Sequence, residues 1–132
     1  MRKLFIFAGT AVVATSLSAL LAPAAQASTP DNSSDGSIKI CKKVDGHDKH
    51  EKFEFRIEGY HYDKKVRVKS GQCKEFDVDK GWYKVTEYEK DYWKLKDIRG
   101  DYEEKDVDYR WAKVFVKKHE TDDLYFYNKY SH

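Results

Sequence analysis

From Gly36 onward the apolar residues recur at every second position, the period of a strand whose side chains point alternately to two faces. Ile38-Lys39-Ile40-Cys41-Lys42 alternates, as do Phe53-Glu54-Phe55-Arg56-Ile57 and Val66-Arg67-Val68. Glu75-Phe76-Asp77-Val78 and Tyr83-Lys84-Val85-Thr86-Glu87 follow, then Ala112-Lys113-Val114-Phe115-Val116 and Leu124-Tyr125-Phe126-Tyr127-Asn128. Turn-forming residues separate the runs at Asp45-Gly46, Ser70-Gly71, Lys80-Gly81, Arg99-Gly100 and Thr121-Asp122-Asp123. No stretch has a clear helical face, and Asp97–Lys105 fits neither period. Seven or eight short strands of this kind predict an all-β sandwich or barrel.

The first 27 residues break the pattern. Arg2 and Lys3 precede a mostly apolar run from Leu4 to Leu21, and Ala25-Gln26-Ala27 is a small-x-small cleavage site. That is the order of an export signal, and the run is marginal for a membrane span. Ser28–Asp35, rich in Ser, Asn, Asp and Pro, reads as a linker, with a glycosylation sequon at Asn32-Ser33-Ser34. A single domain at 36–132 follows, and no integral membrane segment is expected after signal cleavage.

Removing the leader changes the charge. The chain has 25 bases and 23 acids, and the leader's Arg2 and Lys3 take the remainder to 23 of each. Neutral balance with interleaved signs argues against nucleic acid or an anionic membrane as partner. One cysteine pair, Cys41 and Cys73, in an exported chain predicts a disulfide. By strand parity both thiols point outward.

Three polar residues continue inward apolar rows. Lys42 follows Ile38 and Ile40, Glu87 follows Tyr83 and Val85, and Asn128 follows Leu124 and Phe126. Burial lowers a lysine pKa and raises a glutamate pKa. A neutral amine is a nucleophile, and a protonated acid can polarise a carboxamide and move protons. Together the three could form a Lys–Asn isopeptide bond with loss of one ammonia. The simpler reading of parity alone is an exposed Lys42–Glu87 ion pair worth at most ~1 kcal/mol, with Asn128 at a strand end.

At these residues the chain resembles the collagen-adhesin B-type (CnaB) and SpaA-like pilin domains of Gram-positive secreted and surface proteins. Gly36-Ser37-Ile38-Lys39-Ile40-Cys41-Lys42 with Val44-Asp45-Gly46 is similar to their opening strand, and Phe53-Glu54-Phe55 to their second. Val68–Cys73 through Phe76 and Val78 is similar to their middle hairpin. Gly81-Trp82-Tyr83-Lys84-Val85-Thr86-Glu87 is similar to a G-x-Y-x-V-x-E segment, and Phe126-Tyr127-Asn128-Lys129 to a closing F-x-N-K. The resemblance implies a single prealbumin-like (transthyretin-like) β-sandwich of about seven to eight strands. It also implies a bond-forming Lys42, a catalytic acid Glu87 and an amide partner Asn128. Glu89-Lys90-Asp91-Tyr92-Trp93 departs from the Pro-x-Gly-Tyr usual after the acid. The residues up to His132 show no sorting motif or apolar tail, so wall anchoring by that route is not expected.

Other signals are weaker. Asp45-Gly46-His47-Asp48-Lys49-His50-Glu51 carries metal-ligand residue types but sits where a solvated hairpin loop belongs. His61, His119 and His132 are isolated. Tyr60, Tyr62, Trp82, Trp111, Phe115, Tyr125 and Tyr127 take the outward parity, either as a binding surface for an extracellular protein or glycan or as packing under a cover. No phosphate loop, nucleophile elbow or zinc-protease motif is present. The expected function is therefore a secreted structural or adhesion-type domain, free or surface-associated, without cofactor and not an enzyme. The alternative is a secreted binding module or inhibitor acting through its aromatic surface on a soluble partner.

Overall fold

The computed structural model describes residues 35–46 and 50–131. The expected export signal and, Asp35 apart, the expected linker lie outside them, as do His47, Asp48, Lys49 and His132. The described residues form nine strands and no helix: β1 (Gly36–Asp45), β2 (Lys52–Gly59), β3 (Tyr62–Lys69), β4 (Cys73–Val78), β5 (Gly81–Glu87), β6 (Trp93–Gly100), β7 (Glu104–Asp106), β8 (Trp111–Val116) and β9 (Thr121–Tyr130). They make two sheets, ordered β4-β1-β9-β6 and β3-β2-β5-β8-β7. Every pairing is antiparallel except β1 with β9. The first and last strands are thus parallel neighbours in the middle of one sheet.

The core is built from the predicted inward rows. Ile38 and Ile40, Phe53, Phe55 and Ile57, Val85, Val114 and Val116, and Leu124 and Phe126 are all buried. The sheets meet through aromatic edges: Phe55 against Phe126 with ring centroids 5.0 Å apart, and Phe53 against Trp93 at 5.5 Å. Each such side chain contributes about 1.5–3 kcal/mol on burial.

The strand count is nine rather than seven or eight, because β6 and β7 escaped the period-two reading. In β6 the pairing register with β9 shifts between Leu95 and Asp97. Trp93 and Leu95 point inward, and after the shift so does Ile98. A bulge inserts one residue and reverses the parity beyond it, which hides the alternation from a sequence pattern. β7 is three residues long and carries almost no pattern. Two expected breaks also lie within strands. Arg99-Gly100 ends β6, pairing with Tyr125 and Leu124, and Thr121-Asp122-Asp123 opens β9.

Candidate functional site

β1, β5 and β9 bring Lys42, Glu87 and Asn128 to one place between the sheets. Their residues are 0%, 1% and 4% exposed, so the exposed-pair reading of the sequence does not hold. Lys42 extends the row of Ile38 and Ile40 on β1, and Asn128 the row of Leu124 and Phe126 on the adjoining β9. Glu87 reaches them from β5 in the opposite sheet.

The three polar groups close a ring. Lys42 Nζ donates to Asn128 Oδ1 and to the Phe126 carbonyl, the latter at 3.0 Å. It lies 3.0 Å from Glu87 Oε2, and Asn128 Nδ2 donates to Glu87 Oε1 at 3.1 Å. The Phe53 ring covers the amine, its centroid 4.5 Å from Nζ. Trp93 packs edge-on against Phe53 and against Tyr130, closing that end of the sandwich. Arg110 fixes the main chain of Glu87 on both sides: its carbonyl accepts from Glu87 N–H at 2.8 Å and its Nε donates to the Glu87 carbonyl at 3.1 Å.

Burial sets the proton distribution. It lowers the Lys42 amine to about 8, against an opposing pull from Glu87. Burial also raises the Glu87 carboxyl, with Lys42, Asn128 and Arg110 acting the other way. Both displacements favour moving one proton from the ammonium to the carboxylate across their 3.0 Å contact. Such a transfer would leave a neutral amine touching a carboxamide, with an acid hydrogen-bonded to the same carboxamide.

No known family profile matches this sequence, and no curated protein matches it. Solved structures do match in shape. The pilus-presented adhesin Spy0125 (Cpa) superposes with a TM-score of 0.55 at 16% identity, over 74% of this chain and 28% of that one. A bacterial adhesin from Mobiluncus mulieris containing intramolecular disulfide, isopeptide and ester bond cross-links gives 0.52 at 15% identity, over 74% of this chain and 42% of that one. The major pilin T-13 from Streptococcus pyogenes gives 0.50 at 21% identity, with 74% and 46% covered. This chain has a pilin and adhesin fold. The expected β-sandwich of pilin type is therefore confirmed. The chain spans less than half the length of each of these three structures, and at these identities the likeness concerns the fold.

In this pilin-type sandwich Cys41 and Cys73 are bonded, as predicted. They sit directly opposite each other on the antiparallel pair β1–β4. Both cysteines take the outward parity of their strands, but they differ in exposure. Cys73 on edge strand β4 is exposed, whereas Cys41 is 1% exposed. Cys41 lies in a central strand, flanked in register by Cys73 on one side and Tyr125 on the other, so its outward face is covered.

Of the Asp45–Glu51 segment, positions 47–49 lie outside the described residues. Among the described residues no group of three or more ligating side chains is gathered for a metal. His61 and His119 occupy turns with φ of 53° and 62°. The outward aromatics divide. Tyr60 and Trp82 are exposed, at 87% and 56%. Trp111 is partly covered by Lys84 and Lys113, Tyr127 by Arg99, and Phe115 by Trp82. Tyr62 is not outward: it packs on the core, edge-on to Tyr83 at 5.6 Å. Sequence reasoning missed Arg110, which sits at a φ of 63° and carries no local signal for its role. It also missed Asp122, whose parity with Leu124 and Asn128 marks it as inward.

Proposed function

We propose that this chain is an extracellular structural domain of adhesion type, stabilised by a self-formed Lys42–Asn128 isopeptide bond beside the Cys41–Cys73 disulfide. The observation that carries this reading is the closed, buried ring of amine, carboxyl and carboxamide spanning both sheets. Neutral Lys42 Nζ attacks Asn128 Cγ, using its lone pair. Glu87 takes a proton from the attacking nitrogen and delivers one to the departing Nδ2. The C–Nδ2 bond breaks, an Nζ–Cγ amide bond forms, and one ammonia leaves. Glu87 returns to its starting protonation state, and the domain turns over once, so it is not an enzyme with an external substrate. Fixed proximity replaces a collision, which is where the acceleration comes from.

Location outside the cell is supported by the leader's composition and by the adhesin and pilin shapes that the fold matches. In this reading the leader ends at Ala27 and the mature chain begins at Ser28.

Intact mass under reducing conditions tests both points. The mature protein is expected to weigh one ammonia less than Ser28–His132 requires. Lys42→Ala, Glu87→Ala and Asn128→Ala are each expected to restore the full calculated mass. Full mass in the wild-type protein overturns the cross-link.

A further inference from the structure

The outer face of the five-stranded sheet has two unlike halves. Over β2 and β3 the charged side chains satisfy one another: Arg56 reaches Asp63 at 2.7 Å and Glu58 at 3.5 Å, and Arg67 reaches Glu54 at 3.0 Å. Over β5 and β8 aromatic rings stand among the charged side chains. Trp82 lies beside Phe115, ring centroids 5.2 Å apart, and more than half of it remains in water. Tyr60, from the turn between β2 and β3, stands almost wholly exposed nearby. Isolated exposed apolar residues are ordinary, but two large rings lining one concavity mark a contact surface.

Tyr60 and Trp82 line a cleft of 430 Å³ together with Glu58, Lys84, Glu104 and Lys113. That volume lies within the range of small-ligand sites. The four charged groups cancel, two carboxylates against two ammonium groups, with Lys113 loosely paired to Glu104 at 3.9 Å and Glu58 facing Arg56 at 3.5 Å, so the cleft exerts little net pull on a cation or an anion. Ionised carboxylates only accept hydrogen bonds and ammonium groups only donate them. The complementary ligand is uncharged, both donates and accepts around its edge, and offers an apolar face to the rings. A pyranose has this construction: a C–H face that stacks on an aromatic π surface, and a rim of hydroxyls that do both. Trp and Tyr suit such a ligand because each pairs a broad apolar body with a polar tip.

We propose that this cleft binds a neutral saccharide, with Trp82 and Tyr60 as stacking platforms and the four charged side chains bonding to its hydroxyls. The site is separate from the cross-link. Trp82 and Lys84 take the outward parity of β5, whereas Tyr83, Val85 and Glu87 point inward.

The test is affinity electrophoresis of the mature protein in gels containing β-glucan, mannan, galactan or soluble chitin oligosaccharides, with dextran sulfate as an anionic probe. Tryptophan fluorescence titration follows each glycan that retards migration. The expected result is retardation by at least one neutral glycan, unchanged in about 0.5 M salt. Trp82→Ala and Tyr60→Ala are expected to weaken binding at least tenfold while both proteins stay folded, with the thermal midpoint unchanged for the exposed Tyr60 and lowered by a few degrees for Trp82, which packs on Phe115. Three results overturn the proposal: no neutral glycan retards the protein, binding survives Trp82→Ala and Tyr60→Ala, or only dextran sulfate binds and salt abolishes it. Intact mass of the same samples keeps the two readings apart, since loss of saccharide binding leaves the ammonia deficit in place and loss of the deficit leaves retardation unaffected.

Discussion

Asp122 shares the inward row of β9 with Asn128 but sits at its other end, opposite Ile38 in register. Its Oδ2 is buried without a hydrogen-bond partner. Burial, reinforced by Glu120, Asp101, Glu103 and Asp123, pushes its carboxyl up to about 6. A carboxyl whose folded pKa exceeds its unfolded value stabilises the fold at low pH and loses that contribution as pH rises through the folded value. The window here runs from 3.8 to about 6. Asp122→Asn is therefore expected to be more stable than wild type at pH 7 by about 1–2 kcal/mol, discounted for partial solvent screening, with the difference vanishing below about pH 4. Denaturant melts at the two pH values check this. Lys42 gives the opposite sign. In Asn128→Ala it stays a free amine with a folded pKa of about 8 against 10.5 unfolded, so the unfolded chain binds more protons between those values. The stability of that variant is expected to rise by about 3 kcal/mol from pH 8 to 10.5. In the wild type the proposed bond would replace the amine with an amide nitrogen, and the same pH range is expected to leave this part of the stability flat. A parallel rise in both proteins sinks the explanation.

At the level of strands, what was legible in the sequence followed from uninterrupted alternation. β1, β2, β5, β8 and β9 kept one parity along their length, and the inward positions of Lys42, Glu87 and Asn128 could be counted off from Ile40, Val85 and Phe126. β6 was lost because its parity reverses at the bulge, and Tyr62 was misassigned because it was grouped with Tyr60 rather than with Val66. Pairing was beyond the pattern altogether. Nothing in the residue order states that β1 and β9 adjoin, or that Arg110 braces Glu87. Gly100 shows why an apparent break can sit inside a strand. Its φ is 123°, and a Cβ there would lie 2.0 Å from the Asp123 carbonyl oxygen. Glycine lets β6 approach β9 at the point where Asp101 and Asp123 exchange hydrogen bonds, Asp101 N–H to the Asp123 carbonyl at 2.8 Å and Asp123 N–H to Asp101 Oδ2 at 3.0 Å. Gly100→Ala is expected to cost about 2–3 kcal/mol and to speed amide exchange along β6 before the rest of its sheet. Unchanged exchange in β6 contradicts this account.

For the molecule as a whole, the proposed Lys42–Asn128 cross-link would join positions 86 residues apart. By analogy with loop closure by a disulfide it would stabilise by roughly 4–5 kcal/mol. Its mechanical effect is larger than its thermodynamic one. Tension applied at the beginning of β1 and the end of β9 would pass from Gly36 to Lys42, across the new amide, and on from Asn128 to Tyr130. The strands between carry none of it. Single-molecule stretching is expected to show no unfolding extension for the cross-linked protein, and a full extension step for Asn128→Ala. A full step in the wild type contradicts a load path through the amide.

Parallel pairing of β1 and β9 has a further consequence for direction. Gly36 lies beside the start of β9 and Asp45 beside its last residues, so the chain comes in at one pole of the sandwich and goes out at the other. Had the two strands run antiparallel, both connections would emerge on the same side and any attached segment would fold back. As built, whatever is fused to the two poles stands in line, and each such unit adds about 33 Å of reach, the rise of a ten-residue strand.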